Sequence, residues 1–321
     1  MAKEYAIGVD IGATNLRVAL GDSDGKIYKR ITERTPREGD ELTISHKISE
    51  MIKSLLTERE LEKVRGIGIG TIGPLDLKRG AIVNTPNLPF RYIPLREPLE
   101  ESFKLPVYIL NDCVAAVVGE RYFGIGKGIA NLVYITLSTG IGGGVYVDSH
   151  LLIGKDGNAH EIGHMVIDYE GRLVCGCGKR GHWEAYCSGK NIPNLVKLLL
   201  EDKKLKDVEK SVLFKLITKG ELTAKDVFNA AKKGDSFAKE VIEEIGRLNA
   251  IGFANVTNVY DPELITVGGS VALNNPKLVI EPINRYINDY VINRTPRIEI
   301  TPLGGDIVLL GALALVFHPP K

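Results

Sequence analysis

Near the start of the chain, apolar and polar residues alternate in a way that predicts consecutive strands at Tyr5–Asp10, Asn15–Leu20 and Lys26–Arg34. The Gly- and Asp-rich stretches IGATN and GDSDG between them read as hairpin turns. The period then changes. Ile44, Ile48, Met51, Ile52, Leu55 and Leu56 recur at helical spacing, so Leu42–Thr57 is predicted as an amphipathic helix. Strands follow at Val64–Gly70 and Val107–Leu110, the second entering a helix near Asp112 to Tyr122.

A similar run comes next: strand Asn131–Leu137, the Gly-rich turn STGIGGG, strand Val145–Asp148, then Leu151–Ile153. Laid over one another, IGVDIGATNLRVALGD and VYITLSTGIGGGVYVDS share strand, small-residue turn, strand and polar turn. This predicts an α/β chain with two related halves of βββαβ type; chance likeness between two hairpins is the alternative. Helices dominate further on. Ile192–Leu200 is apolar on one face, Thr223 and Asp226 form a capping-box pattern, and a long helix runs from Ser236 to about Asn258. A short buried strand, Leu264–Val267, enters Gly268-Gly269-Ser270. A helix over Lys277–Val291, a strand Arg297–Thr301 and a terminal helix Asp306–Phe317 complete the pattern.

The 321 residues suffice for about two domains, with 44% hydrophobic and 25% charged residues as in ordinary globular chains. Forty-one Lys and Arg against forty Asp and Glu give a net charge of +1. That balance supplies no general field for nucleic acid or an anionic membrane, so a phosphate site must be local. The longest apolar run, Ile307–Phe317, falls short of the roughly 20 residues of a membrane span. The N-terminus lacks a signal-peptide core, and the cysteines cluster instead of forming a secreted disulfide framework. A cytoplasmic, reduced protein is expected.

The densest chemistry lies between Gly157 and Glu184. His164, Cys175, Cys177 and His182 offer two sulfurs and two imidazoles, the donor set of tetrahedral Zn²⁺. Glu161 and Glu184 flank them, so one metal could fix both carboxylates near a polar substrate. Cys187 is a rival fourth ligand and His160 a weaker one.

Three Gly-rich turns follow apolar strands: Asp10 to Asn15 with Gly12 and Thr14, Ser138 to Gly144 with Thr139 and Gly140, and Gly268-Gly269-Ser270. Glycines let backbone amides converge on an anion, although tight hairpins also need them. Together with the duplicated pattern they favour a nucleotide clamped between two lobes. None matches GxxxxGK[ST]. Asp10, at a strand end, can hold Mg²⁺ against phosphates through waters, or cap its turn. Asp112 reads as a general base for a substrate hydroxyl or as a helix N-cap. Asn87, in the loop Asn84-Thr-Pro-Asn-Leu-Pro, presents donor and acceptor together, matching sugar hydroxyls, or is simply part of a turn.

DIGATNLRVAL, TIGPLD, NTPNLP, LNDCVAA, TLSTGIGGGV, the E-x-G-H motif at Glu161–His164, CGCGKRGHWE and DPELITVGGS occur in the order seen in ROK-family sugar kinases, which the chain resembles over nearly its whole length. The likeness is greatest to the ATP-dependent glucokinase and broad-specificity hexokinase branch. It implies a two-lobed actin-like, ribonuclease-H-like ATPase fold, here with a smaller lobe over residues 1–112 plus 305–321 and a larger one over 113–304. ATP with Mg²⁺ would donate to the 6-hydroxyl of a hexose, glucose first and mannose second. Fructose or N-acetylmannosamine is an alternative acceptor.

By motif position Asp112 would be the catalytic base, Asn87, Asn111, Glu161, His164 and Glu184 would hold the sugar, and Gly73 would back it. Gly12, Thr14, Thr139, Gly140, Gly268 and Gly269 would line the nucleotide site. The family histidine matching His164 both ligates zinc and touches sugar, and a dimer or tetramer is implied. One departure stands out: His182 replaces the last cysteine of the family's metal motif. A sugar-sensing repressor of the same family is the reading from another class. It would need a helix-turn-helix ahead of the first strand, where only a few residues precede Ile7. A zinc-stabilised scaffold without catalysis requires Asp112 to be dispensable.

Overall fold

The computed structural model describes residues 4–201 and 208–320. The opening strands form as their alternation requires: β1 (Tyr5–Ile11), β2 (Asn15–Asp22) and β3 (Ile27–Arg34) pair antiparallel, with Val9 opposite Val18 and Val18 opposite Ile31. β1 and β2 are buried along most of their length, while β3 alternates between half-buried and exposed, as an edge strand does. The helix Thr43–Leu55 turns Ile44, Ile48, Met51 and Ile52 inward. β4 (Val64–Thr71) then joins parallel to β1.

The short strands β5 (Leu75–Asp76), β6 (Ala81–Val83) and β7 (Tyr92–Pro94) make a small antiparallel sheet, followed by the helix Arg96–Phe103. None of these was predicted: two- or three-residue strands are too short to show a period. β8 (Val107–Asn111) pairs parallel to β4 and completes a five-stranded sheet of order β3-β2-β1-β4-β8.

The second run gives β9 (Leu132–Leu137), β10 (Ile141–Val147) and β11 (His150–Leu151), later joined by β12 (Leu264–Gly268) and β13 (Arg297–Ile300). Their order is β11-β10-β9-β12-β13. Strand for strand this repeats the first sheet, so the two hairpins are alike because they open two copies of one core. The stretch STGIGGG is not all turn. Ile141–Gly144 belongs to β10, and a side chain at Gly144 would strike the Cys113 carbonyl. The turn is confined to Ser138–Gly140.

The chain divides into two compact units, Met1–Tyr134 with Gly144–His160 and Pro302–Lys321, and Ile135–Gly143 with Glu161–Thr301. In the first, the terminal helix Ile307–Phe317 packs on β1, β4 and the helix Asp112–Phe123. In the second, the helix Ser236–Tyr260 buries Phe237, Val241, Ile245, Phe253 and Val256. The capping box at Thr223 and Asp226 is present. The helix predicted over Lys277–Val291 instead spans Pro276–Tyr286 and tightens into a 3-10 turn at Ile287–Asp289. Among the described residues no helix is long and apolar enough to cross a membrane.

Candidate active site and metal centre

In the first unit the predicted residues gather at the carboxyl ends of parallel strands, where open α/β sheets bind ligands. The register sets Ile11 beside Thr71 and Thr71 beside Asn111, so the segments leaving β1, β4 and β8 start from one sheet edge. Those segments carry Gly12, Thr14 and Asn15, then Gly73, then Asp112. The first turn is closed by Gly12 N–H donating to the Asn15 carbonyl at 2.9 Å, and Thr35 Oγ1 donates to the Gly12 carbonyl at 2.7 Å. Arg37 Nη1 donates to the carbonyls of Ala13 and Asn87, each at 3.3 Å, which brings the exposed Asn87 loop beside that turn.

Asn111, not Asp112, is the N-cap of the helix Asp112–Phe123: its Oδ1 accepts from Cys113 N–H at 2.9 Å. Asp112 Oδ1 accepts from the same N–H at 2.8 Å. Both side chains thus accept from the first-turn amide, with Asn111 at the N-cap and Asp112 at the first helical position. Asp10 is buried, and its carboxylate accepts from Arg17 through Nε at 2.7 Å and through Nη2. Burial pushes its pKa up while Arg17 works the other way. Arg17 also donates to the Gly305 carbonyl at 2.7 Å. The signal for this pair was present in the register, which sets Arg17 opposite Asp10 across the hairpin.

In the second unit, Ser138 N–H donates to the Gly140 carbonyl at 3.0 Å, forming the tight turn after β9. The turn is backed by Gly189 N–H on the Ser138 carbonyl at 2.7 Å. Ser138 Oγ and Ser270 Oγ lie 3.1 Å apart, joining Thr139-Gly140 to the Gly268-Gly269-Ser270 segment after β12. Gly269 has φ +84° and lies so close to the Leu137 carbonyl that a Cβ would clash.

Glu184 connects this turn to the metal-ligand segment. Its Oε2 accepts from Ile141 N–H at 2.9 Å, and its Oε1 lies 3.6 Å from Cys175 Sγ. The ligand atoms of His164, Cys175, Cys177 and His182 all fall within 4.8 Å of one another. Cys177 Sγ and His182 Nδ1 are 3.3 Å apart. A tetrahedral zinc, with sulfur at ~2.3 Å and nitrogen at ~2.0–2.1 Å, needs ligand atoms roughly 3.3–3.8 Å from each other. The donor set fits such an ion after a small contraction.

His164 Nδ1 is 2.9 Å from Glu161 Oε2, the outer carboxylate that metal-binding histidines commonly have. That contact pushes the imidazole pKa up, whereas burial pulls that of His182 down. Burial also raises the Cys175 thiol to about 12. The rival ligands lie elsewhere. Cys187 is buried with Sγ 3.8 Å from the Ile245 carbonyl, and His160 Nε2 sits 3.0 Å from the Gly157 carbonyl.

Residues without a sequence signal hold this segment in place. Trp183 is fully buried, donates from Nε1 to Asn249 Oδ1 at 2.8 Å, and meets Phe253 edge-on with centroids 5.5 Å apart. The residues on either side of it, His182 and Glu184, are thereby anchored to the helix Ser236–Tyr260. Tyr186, Asp168 and Arg172 form a second hydrogen-bonded group (below). Nothing in the spacing pairs them.

Two copies of one five-stranded core, each with glycine turns at strand ends, place the chain in the actin-like, ribonuclease-H-like ATPase class. The family model described as the ROK family matches residues 6–318. The glucokinase of Pyrobaculum calidifontis is 38% identical over 315 residues, 98% of this chain and 96% of its own. The ROK hexokinase structure from Thermus thermophilus aligns with a TM-score of 0.81 at 29% identity, over 98% of each chain. A ROK family glucokinase from Streptomyces griseus, solved with glucose and AMPPNP, aligns at 0.74 and 30% identity, over 97% of this chain and 98% of that one. The chain belongs to the ROK family.

Proposed function

We propose that this chain is an ATP-dependent sugar kinase that transfers the γ-phosphoryl group to the 6-hydroxyl of glucose, with mannose as a second acceptor. The observation that carries the reading is the position of Asp112. It stands in the first turn of its helix at the carboxyl end of β8, on the sheet edge that also bears the Gly12–Asn15 turn and Gly73. Full-length likeness to glucokinases, one of them solved with glucose and AMPPNP, supports the substrates.

Phosphoryl transfer asks little covalent chemistry of a protein. It requires an aligned hydroxyl, neutralised phosphate charge and a base. Asp112 would accept the proton of the attacking hydroxyl. Asn87, Asn111, Glu161, His164 and Glu184 would bind the sugar, the carboxylates through charge-assisted hydrogen bonds to hydroxyls, with Gly73 leaving room for the ring. The turns at Gly12–Asn15, Thr139-Gly140 and Gly268-Gly269 would hold the nucleotide through backbone amides. Mg²⁺ would neutralise phosphate charge, with Asp10, fixed by Arg17, facing its water shell. Zn²⁺ on His164, Cys175, Cys177 and His182 would shape the acceptor site and take no part in the transfer.

A coupled assay with ATP over a panel of hexoses tests the reading, and glucose is expected to be used best. Asp112→Ala should lower kcat by about 10²–10⁴-fold while the folded protein still binds glucose. Near-normal turnover in that variant would remove the base assignment. Preference for fructose or N-acetylmannosamine would move the substrate.

A further inference from the structure

The metal-ligand segment folds as two limbs. The limb leaving His164 pairs with the residues around His182: Trp183 N–H donates to the Met165 carbonyl and Ile167 N–H to the Gly181 carbonyl, both at 2.9 Å. The limb carrying Cys175 pairs with the return segment through Gly181 N–H on Leu173 at 3.1 Å and Cys175 N–H on Lys179 at 2.8 Å.

One buried hydroxyl joins the limbs. Tyr186, with no exposed surface, accepts from Leu173 N–H at 3.0 Å and donates to the carboxylate of Asp168. Asp168 lies on the His164 limb and Leu173 on the Cys175 limb. The same carboxylate oxygen accepts from Arg172 Nε at 3.1 Å and Arg172 N–H at 3.2 Å, closing the tip of the loop. Tyr186 belongs to the short helix Glu184–Cys187, which begins just after His182. It therefore ties together the three segments that carry the metal ligands, without offering a ligand atom itself.

We propose that Tyr186 is a positioning residue for the metal. With Asp168 and Arg172 it holds the loop in its ligand-competent shape before the ion arrives, so that a zinc-class ion finds His164, Cys175, Cys177 and His182 already assembled. The inference rests on the zinc reading above. Removing the hydroxyl deprives Leu173 N–H of an acceptor and Asp168 of a donor, and a half-satisfied buried network no longer specifies one geometry. Loss of a partner bonded directly to a ligand typically weakens metal binding by about 10–100-fold, and Tyr186, one contact further out, belongs at the lower end of that range.

The test uses full-length wild type and Tyr186→Phe, each stripped of metal and titrated with Zn²⁺ against a chromophoric chelator, then with Co²⁺ to read the ligand set from its visible bands. Tyr186→Phe should bind Zn²⁺ about tenfold more weakly while its Co²⁺ spectrum matches wild type. Equal Zn²⁺ affinity in the two proteins would overturn the inference and leave the metal reading standing. An altered Co²⁺ spectrum would also overturn it, since the hydroxyl would then decide which atoms ligate. No uptake by wild type would end both readings. Should Tyr186→Phe fail to fold, Arg172→Met loosens the same carboxylate from its exposed side and should weaken Zn²⁺ in the same direction. Unchanged affinity there would count against the brace.

Discussion

Burial alone would push the Asp168 carboxyl up, yet the Tyr186 hydroxyl and Arg172 guanidinium hold it below the ordinary carboxylate range. A carboxylate whose folded pKa is depressed stabilises the native state above its unfolded value, and that contribution is lost as pH falls through the folded value. Asp168→Asn should therefore cost about 1–3 kcal/mol near neutrality, and its deficit against wild type should shrink once the pH drops below the usual carboxylate range. Urea denaturation across that range measures it. Ligand choice is also a single-residue question. His182 belongs to the converging set, whereas the Cys187 thiol is pushed well up by burial and faces a backbone carbonyl. His182→Ala should lower zinc content sharply, and Cys187→Ala should leave it near the wild-type value by elemental analysis. At this scale the ligand types were legible in the sequence. The choice between His182 and Cys187 was not, because it depends on where the helix Glu184–Cys187 points its side chains.

The terminal helix Ile307–Phe317 is apolar on every side, and a helix of that kind must be covered all round. Its near-continuous apolar run marked it as internal before any packing was known. What the run did not show is how closely its neighbours approach. A Cβ on Gly311 would overlap the Ala115 carbonyl of the helix Asp112–Phe123, and a Cβ on Gly68 would overlap the Ala312 carbonyl. Gly311→Ala should destabilise the chain by about 1–3 kcal/mol, as overpacking does. Because the displaced helix begins at Asp112, kcat of the folded fraction should fall as well. Thermal melts and steady-state kinetics on one preparation would separate the two effects. The short strands β5–β7 stayed illegible because two or three residues show no period, and the helix Arg96–Phe103 because it buries only Leu99 and Phe103.

Across the whole molecule, two five-stranded sheets share one strand order, although the sequences that build them match only in outline. The metal ligands all lie in the second unit, on a stretch whose Val166, Tyr169 and Val174 are exposed. A bound ion would add to the order that Tyr186, Asp168 and Arg172 give it. Chelation should lower the unfolding midpoint, and added Zn²⁺ should restore it, by about 4 kcal/mol when free metal exceeds Kd a thousandfold. About one zinc per chain is expected, and calorimetry with and without chelator would show whether the metal carries this stability.

By itself the amino-acid sequence determined the alternation that makes the first hairpin, the helical periods, the glycine turns after strands and the soft-donor cluster. These are local properties, set by side-chain period, backbone freedom at glycine and ligand chemistry. Only the tertiary structure decided that Asn111 takes the N-cap position, that Arg17 reaches Asp10 across the hairpin, that His182 and not Cys187 joins the two cysteines, and that Tyr186 joins the limbs of the loop. Each of those is settled by packing and by the need of buried polar groups for partners, which no side-chain period encodes.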